Sequence, residues 1–443
     1  MESLTAQRIQ IDDRHFLLGG IVMYVCSLER MKDKIQTFAR FGDTGNGGVT
    51  RYSLSAESVM ARDEFVRRME AIGAVIETDD LANMYATLPG SDPDAKRIAM
   101  GSHCDSVKEG GNYDGILGVM GAMEVLETIA AENIPHKHPV TAVIWTNEEG
   151  SEFPPCMMCS AIVCNDYMPE RFRSNFDYDK MMASQSIVQH GVTFGEKLAG
   201  FKYKGSKEHR MSPDKYMSMF ELHIEQGPIL EDAGKEIGVV TCVLGQMIYR
   251  MKFHGFAAHA GTFPMKKRQD ALHAGAECLC WLHEEIDKLG YEDLVYTTGE
   301  AVVHPCVNTV IPSYFDFSID VRHEDPAVLD KVRKILFAAA GKEWQGCRCE
   351  CDLGWNRDTV YWDKQLVEYV REAAEELKIS HMNINSGAGH DAQYVSYMLP
   401  TTMIFVPSAK GLSHCELEHT SDQQCTDGAS VMLHAVLKLD RSC

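Results

Sequence analysis

The sequence predicts an α/β fold in two domains, one of them interrupted by the other. Three observations support this prediction. The chain has 443 residues, which is more than one ordinary hydrophobic core encloses. Apolar strand-like segments alternate with helical ones towards both ends, as in sheets that helices cover on both faces. The middle of the chain instead has a β-α-β-β-α-β order, which is typical of a split ferredoxin-like unit.

The α/β domain is assigned to residues 1–243 and 359–443. Its first clear element is an amphipathic helix at 55–72, for which Ser55 is a suitable N-cap. The later helices are predicted at 115–131, 364–378, 390–398 and 424–440, and the strands at 97–102, 139–146, 382–384 and 402–406. Because open α/β sheets bind ligands at the carboxyl ends of their strands, we expect functional residues in the loops that follow these strands.

The intervening residues 244–358 are assigned to an inserted domain. Its strands are predicted at 245–256, 296–304, 313–322 and 346–353, and its helices at 268–288 and 326–341. The sequence of either domain contains no internal repeat and no low-complexity segment.

Charge and composition exclude several classes of partner. The net charge of −21 argues against nucleic acid and anionic membranes, although a small anionic substrate could bind beside local positive groups. The N-terminal segment MESLTAQRIQIDDRHF lacks the features of a signal peptide, and no stretch of about 20 apolar residues could span a membrane. The 15 cysteines are scattered, as is usual in a reducing cytosol. We therefore expect a cytoplasmic protein that acts on a small molecule.

Three polar residues follow the predicted strand at 97–102. His103 and Asp105 share one face of an extended chain, so the acid can orient the imidazole. Asp114 lies between a Gly-Gly-Asn-Tyr loop and a predicted helix, where each carboxylate oxygen could hold one cation. Taken singly, the first two could be an exposed polar pair, and Asp114 could be a helix N-cap.

Two adjacent acids, Glu148 and Glu149, follow the apolar strand at 139–146. Carboxylates at the buried end of a strand are costly unless a cation or a proton satisfies them. One could bind metal while the other accepts a proton from a metal-activated water and delivers it to a leaving nitrogen. The alternative is an exposed acidic turn.

Two histidines also follow apolar segments: His223 comes after MSMFEL, and His414 comes after TTMIFVP. Each alone could be a structural histidine. As a set with the acids they could meet at one edge of a sheet, and nitrogen and carboxylate ligands without thiolate suit Zn²⁺, Mn²⁺ or Co²⁺.

Nine segments carry a more specific signal when they are taken together and in order. They are FGDTGNGGVTR at 41–51, GSHCDSVKEGGNYDGILGV at 101–119, NEEGSEF at 147–153, FELHIEQGPILE at 220–231, HAGTFPMKKRQDA at 259–271, VNTVIP at 307–312, DVRH at 320–323, SGAGHDA at 386–392 and MIFVPSAKGLSH at 403–414. Together they resemble the amidase/carbamoylase branch of the M20 metallopeptidase superfamily. That branch holds N-carbamoyl-L-amino acid hydrolases, β-ureidopropionase and allantoate amidohydrolase.

This resemblance implies a mixed-sheet metallohydrolase domain that holds two divalent metal ions. One metal would be bound by His103, Asp114 and His223, and the other by Asp114, Glu149 and His414. Glu148 would be the general base and acid, with Asp105 as the orienting partner of His103.

The resemblance also implies a substrate site completed by the inserted ferredoxin-like domain, which would act as a lid and form a homodimer. His259 would stabilise the oxyanion of the tetrahedral intermediate. In a dimer, His259 of one subunit could reach the site of the other subunit. Asn308 and Arg322 would bind substrate, with Arg322 holding its carboxylate through a bidentate pair. The residues that match family contacts to the ureido group are Gln226, Gly389 and His390.

Two residues depart from the family pattern: Glu152 stands where arginine is common, and Cys159 where a glycine usually precedes Ser160. Both are expected close to the metals, where they could retune substrate choice, weaken metal binding or mark a degenerate site. Every predicted ligand and base is present, which favours altered specificity.

The resemblance favours an N-carbamoyl amino acid amidohydrolase, similar to β-ureidopropionase, that releases an amino acid, ammonia and CO₂. An allantoate amidohydrolase is the first alternative; Gly245, Gln246 and Tyr249 favour it, and Tyr113 disfavours it. A metal-free binding protein with the same fold is an alternative of another class. An aminopeptidase or aminoacylase of the same superfamily is a further one, although the HIEQG segment fits the carbamoylase branch better.

Overall fold

The computed structural model describes residues 9–12, 15–18 and 21–443. They form two compact units, one built from the chain up to Thr241 together with Trp362–Cys443, the other from Cys242–Tyr361. Within the described residues, none of the helices is both long and apolar enough to cross a membrane.

Strands and helices alternate along most of the described chain. In chain order the strands are β1 (Ile9–Asp12), β2 (His15–Leu18), β3 (Ile21–Tyr24), β4 (Val75–Thr78), β5 (Met84–Leu88), β6 (Arg97–His103), β7 (Val140–Trp145), β8 (Tyr216–Ile224), β9 (Ile237–Val243), β10 (Gly245–His254), β11 (Val295–Thr297), β12 (Ala301–His304), β13 (Tyr314–His323), β14 (Arg348–Arg357), β15 (Val360–Tyr361), β16 (His381–Ser386) and β17 (Thr401–Val406). The helices are α1 (Leu28–Phe38), α2 (Ala56–Ala71), α3 (Ile116–Ala131), α4 (Met158–Cys164), α5 (Glu170–Arg173), α6 (Tyr178–Met182), α7 (Phe194–Ala199), α8 (Ile229–Ala233), α9 (Ala271–Asp287), α10 (Pro326–Ala340), α11 (Lys364–Leu377), α12 (Asp391–Val395) and α13 (Asp422–Ser442).

The first unit is organised around a mixed sheet with the order β9-β17-β8-β6-β7-β5-β4, in which β16 also pairs with β9. β17, β8, β6 and β7 are parallel, while β5 and β4 on one side and β9 on the other are antiparallel to their neighbours. α3 packs against β6, β7 and β8, and α13 packs against β8 and β17. The predicted α/β fold with a mixed sheet is confirmed. Since the four parallel strands end at the same edge, the loops that follow them meet there.

Elements with a clear sequence pattern lie where the sequence predicted them. The helix expected at 55–72 is α2, and the hydroxyl of Ser55 accepts the N–H of Ser58 as its N-cap. The strands expected at 97–102 and 139–146 are β6 and β7. Every residue of β7 is buried, as in a strand covered on both faces.

The single strand predicted at 296–304 is wrong, because two short strands, β11 and β12, occupy this region. Both pair with β13. Between the pairs Thr297–Asp320 and Ala301–Phe317, the chain advances four residues from β11 to β12 but only three along β13. The extra residue forms a bulge between the two strands, where the carbonyl of Glu300 accepts the N–H of Ser318.

The second unit contains an antiparallel sheet in the order β14-β10-β13-β11, with β12 also paired to β13. With β11 and β12 counted as one interrupted strand, this is the 4-1-3-2 order of a ferredoxin-like sheet. One face of the sheet packs against α9 and α10 around a core that includes Phe253, Phe317, Leu282 and Val332. β15 pairs with the last residues of β9, Val360 lying opposite Val243.

Candidate metal centre

The parallel strands of the first unit bring the predicted ligands to one edge of the sheet. His103 is the last residue of β6, and His223 is the residue before the end of β8. Glu148 and Glu149 follow β7, and His414 lies in the loop after β17. The side chains that the sequence placed after apolar strands therefore gather as expected for parallel strands.

Asp114 lies at the centre of this group. Its Oδ1 is 3.1 Å from Nε2 of His223 and 3.8 Å from Nε2 of His103, while its Oδ2 is 3.0 Å from Nε2 of His414. The N-cap of α3 is Gly115 rather than Asp114, and no side chain caps this helix. The helix-cap interpretation of Asp114 is therefore wrong, and its two oxygens face different histidines.

Two groups of three side chains have ligand atoms within 4.8 Å of one another: His103, Asp114 and His223, and Asp114, Glu149 and His414. These are the two sets that the sequence resemblance implies. Among the described residues, Oε1 of Glu149 is a buried oxygen without a hydrogen-bond partner, and a cation would satisfy it. Imidazole and carboxylate donors of this kind fit Zn²⁺, Mn²⁺ or Co²⁺.

Two other groupings meet the same distance criterion. One combines Glu221, His223 and His390, but the carboxylate of Glu221 already accepts the Ser102 hydroxyl and the N–H of Ala392. The other combines His103, Glu148 and Glu149.

The tautomers of the two strand histidines suit metal binding. Nδ1 of His103 lies 2.9 Å from the carbonyl oxygen of Asp105, and Nδ1 of His223 lies 2.8 Å from that of Ile224. Because a carbonyl only accepts, each Nδ1 carries a proton, and in the neutral imidazole each Nε2 has a lone pair that a metal can accept. Both Nε2 atoms face Asp114.

Asp105 differs from its predicted geometry, because β6 ends at His103 and does not extend through Asp105. The backbone carbonyl of Asp105 contacts the His103 ring, whereas its carboxylate lies 3.8 Å from Nδ1. That carboxylate accepts the N–H groups of Glu148 at 3.4 Å and Glu149 at 3.2 Å. Asp105 therefore joins the end of β6 to the acidic turn after β7.

The electrostatics of the cluster favour a bound cation. Burial and the neighbouring Glu149 raise the pKa of Glu148 well above its usual range, and burial with Asp114 does the same for Glu149. Burial would also raise the pKa of Asp114, but the side chains of His223 and His414, which donate hydrogen bonds to it when their rings are protonated, hold that pKa well below its usual value. A cation among three crowded carboxyl groups would stabilise their charged forms.

The residues predicted to contact the ureido group lie in the first unit. Nε2 of Gln226 donates to Oδ2 of Asp114 at 3.0 Å. His390 is buried, its Nε2 lies 2.8 Å from the Ser386 hydroxyl, and its ring centre is 4.6 Å from that of His223. Gly389 precedes His390 in the loop after β16.

The other predicted substrate residues, His259, Asn308 and Arg322, lie in the second unit. Nδ1 of His259 accepts the N–H groups of Gly261 at 3.0 Å and Thr262 at 3.1 Å. Nδ1 therefore lacks a proton, and the exposed ring presents Nε2–H as a donor.

Arg322 and Asn308 differ in how firmly they are held. The guanidinium of Arg322 on β13 is already engaged by Asp320, with Nε 3.1 Å from Oδ1 and Nη2 2.8 Å from Oδ2. Asn308 is exposed in the loop after β12.

The two departures from the family pattern are buried. The carboxylate of Glu152 accepts Nζ of Lys197 at 2.6 Å and the hydroxyl of Ser186 at 3.0 Å. Cys159 lies in α4, and burial raises the pKa of its thiol well above the usual value. Glu152 is thus neutralised by a lysine.

Sequence reasoning missed Glu418 and Ser413. Oε1 of Glu418 accepts the N–H of Asp114, and its Oε2 accepts the Ser413 hydroxyl. The segment CELEH contains two acids in alternation, and the pattern alone does not distinguish Glu416 from Glu418.

Comparison with known proteins gives consistent results. The N-carbamoyl-L-amino-acid amidohydrolase of Rhizobium meliloti is 36% identical over 415 residues, covering 93% of this chain and 96% of that protein. The allantoate amidohydrolase of Bacillus subtilis is 32% identical, covering 92% and 96%. The crystal structure of an amidase of the hydantoinase/carbamoylase family from Burkholderia multivorans superposes with a TM-score of 0.83 at 35% identity, covering 94% and 98%.

The sequence profile of peptidase family M20/M25/M40 matches residues 99–438. This range includes every predicted metal ligand, from His103 to His414. The resemblance inferred from the sequence is confirmed, and the chain belongs to the M20/M25/M40 peptidase family.

Proposed function

We propose that this protein hydrolyses the ureido C–N bond of N-carbamoyl amino acids with two divalent cations. The observation that carries the proposal is Asp114, whose Oδ1 faces His223 and whose Oδ2 faces His414. A carboxylate in this position would offer one oxygen to each of two cations, which would supply the chemistry of a two-metal hydrolase. Relatives at 31–36% identity over most of the chain, named N-carbamoyl-L-amino-acid amidohydrolases, support this substrate class.

Cations at these two positions would supply Lewis acidity, which lowers the pKa of a water and polarises a carbonyl oxygen. Glu148 belongs to neither of the two ligand groups, and its Oε2 lies 3.6 Å from Nε2 of His103. In this proposal Glu148 accepts a proton from the attacking water and passes it to the leaving nitrogen. Asp105 supports Glu148, because the carboxylate of Asp105 accepts a hydrogen bond from the backbone N–H of Glu148.

The second unit would act as the lid and would supply substrate contacts. Nε2–H of His259 is a neutral donor suited to the oxyanion that forms on the attacked carbonyl. Asp320 orients the guanidinium of Arg322, which would bind the substrate carboxylate, and Asn308 would add a polar contact. A homodimer formed through this unit is part of the proposal.

Allantoate is the second candidate substrate, because relatives named allantoate amidohydrolases are 31–32% identical to this chain. Gln246 is one of the residues that favoured allantoate. Its Nε2 donates to Oδ2 of Asp320 at 2.7 Å and so helps to hold Asp320, the residue that binds Arg322.

The test is a substrate panel with the full chain loaded with Zn²⁺, Mn²⁺ or Co²⁺. Ammonia release is measured from N-carbamoyl-β-alanine, N-carbamoyl-α-amino acids and allantoate, with metal content measured in parallel. Turnover of carbamoyl amino acids with two cations per chain is the expected result. Turnover of allantoate alone would reverse the substrate assignment, and a chain that binds no cation would refute the two-metal proposal.

A further inference from the structure

One buried carboxylate joins the loop that carries Asp114 to the loop that carries His414. Oε1 of Glu418 accepts the N–H groups of Tyr113 and Asp114, both at 3.0 Å. Its Oε2 accepts the hydroxyl of Ser413, the neighbour of His414, at 2.8 Å. Glu418 is only 4% exposed, so these contacts replace its hydration.

The loop before Asp114 is shaped to admit this carboxylate. A Cβ at Gly111 would lie 2.0 Å from Oε1 of Glu418. No side chain fits in that space while Glu418 keeps its contacts. The observed position of Glu418 therefore requires glycine at position 111.

The contacts continue to one particular oxygen of Asp114. The hydroxyl of Ser413 lies 3.4 Å from Oδ2 of Asp114, and Nε2 of Gln226 lies 3.0 Å from the same oxygen and 3.2 Å from Ser413. Oδ2 is the oxygen that faces His414. Glu418 thus acts on the side of Asp114 that belongs to the second ligand group.

The two ligand groups differ in what holds their histidines. His103 and His223 lie within strands and are buried. His414 lies on a loop with φ of 56°, and its side chain is 52% exposed. The position of His414 therefore depends on the restraints within its loop, and the Glu418–Ser413 contact is one of them.

We propose that Glu418 is a positioning residue that builds the second cation site from Asp114, Glu149 and His414. The inference rests on the two-metal function proposed above. Glu418 fixes the spacing of the two loops. Its loss weakens the second site and leaves the first, which the sheet holds, nearly intact.

The experiment compares Glu418→Ala, Glu418→Gln and Ser413→Ala in the full chain after chelator treatment, titrated with Mn²⁺. Free Mn²⁺ is followed by its electron paramagnetic resonance signal, which gives the number and affinity of the sites. The matched control is Glu416→Ala, because Glu416 is an acid of the same loop that binds the Thr44 hydroxyl instead.

We expect the unaltered chain to bind two Mn²⁺, and Glu418→Ala to bind one as before and the second about 10- to 100-fold more weakly. Ser413→Ala should weaken the same site. Glutamine should restore it, because its carbonyl can accept the two N–H groups while its amide donates to Ser413. The Mn²⁺ affinities of Glu416→Ala, the control, should stay within about twofold of those of the unaltered chain.

Two results would overturn the inference while the proposed function stands: two sites of unchanged affinity in Glu418→Ala, or equal weakening of both. A chain without any Mn²⁺ site would overturn both proposals. If Glu418→Ala does not fold, judged by circular dichroism, Ser413→Ala decides, since it leaves the Glu418 contacts to the backbone in place; unchanged Mn²⁺ binding there overturns the inference.

Discussion

Gly115 is the position where a single methyl group should test the geometry of the first ligand group. It has φ of 66° and ψ of −51° and separates Asp114 from α3. A Cβ at this position would lie 2.1 Å from Nε2 of His103. The ring cannot easily withdraw, because its Nδ1 is bound to the carbonyl of Asp105 and its backbone ends β6.

Two costs add up in Gly115→Ala. At φ of 66° and ψ of −51° a residue with a Cβ is more strained than in the left-handed helical region, where the cost is roughly 1–2 kcal/mol. Forcing a well-packed ring aside costs about 1–3 kcal/mol more. Gly234→Ala is the matched control, because Gly234 has φ of 60° and its Cβ would meet no described atom within 4 Å. The control, with φ of 60° and ψ of 40°, lies in the left-handed helical region and should lose only about 1–2 kcal/mol.

The assay is thermal unfolding of both variants in the presence of chelator, followed by Mn²⁺ titration. We expect Gly115→Ala to unfold at a lower temperature than Gly234→Ala and to lose affinity at the group of His103, Asp114 and His223. If both variants unfold at the same temperature and bind Mn²⁺ equally, the contact between this glycine and His103 does not shape the site.

Three further changes test other parts of the molecule. Glu148→Gln should lower kcat about 10²- to 10⁴-fold with both cations retained; loss of a cation in an elemental analysis would instead make Glu148 a ligand. His259→Ala should lower kcat about 10²- to 10³-fold, as removal of an oxyanion donor does, and steady-state kinetics with unchanged substrate affinity would check this. Lys34 is buried between Glu124 and Glu127, with Nζ at 2.6 and 2.5 Å. Lys34→Met should destabilise the first unit by about 3–5 kcal/mol, because it leaves a buried charge unpaired. Urea unfolding measures this, and a loss below about 1 kcal/mol would show that Arg30 alone satisfies Glu124.

The sequence predicted those parts of the fold and site that depend on local pattern. α2 and α3 were predicted because their lengths and apolar spacing leave little ambiguity. His103 and Glu148 were identified because they follow long apolar strands, and parallel strands bring their ends together. Each of these inferences needs only a segment and its immediate neighbours.

Predictions failed where a distant partner determines the outcome. The pair His103–Trp145 is the last between β6 and β7, since β7 ends there, so Asp105 lies beyond the strand. Its carbonyl rather than its carboxylate therefore meets the imidazole. Glu418 contacts a loop 304 residues away, and no local pattern encodes such a contact.

Glu152 and Cys159 were the two residues that supported a binding protein that retains the fold without catalysis. A buried carboxylate without a partner would disturb its surroundings strongly. Here Nζ of Lys197 and the hydroxyl of Ser186 satisfy both of its oxygens. The altered charge is therefore compensated by its immediate neighbours, and the glutamate does not compete for the cluster around Asp114. Glu152 belongs to none of the candidate ligand groups, so its presence is no argument that the cluster around Asp114 has lost its function.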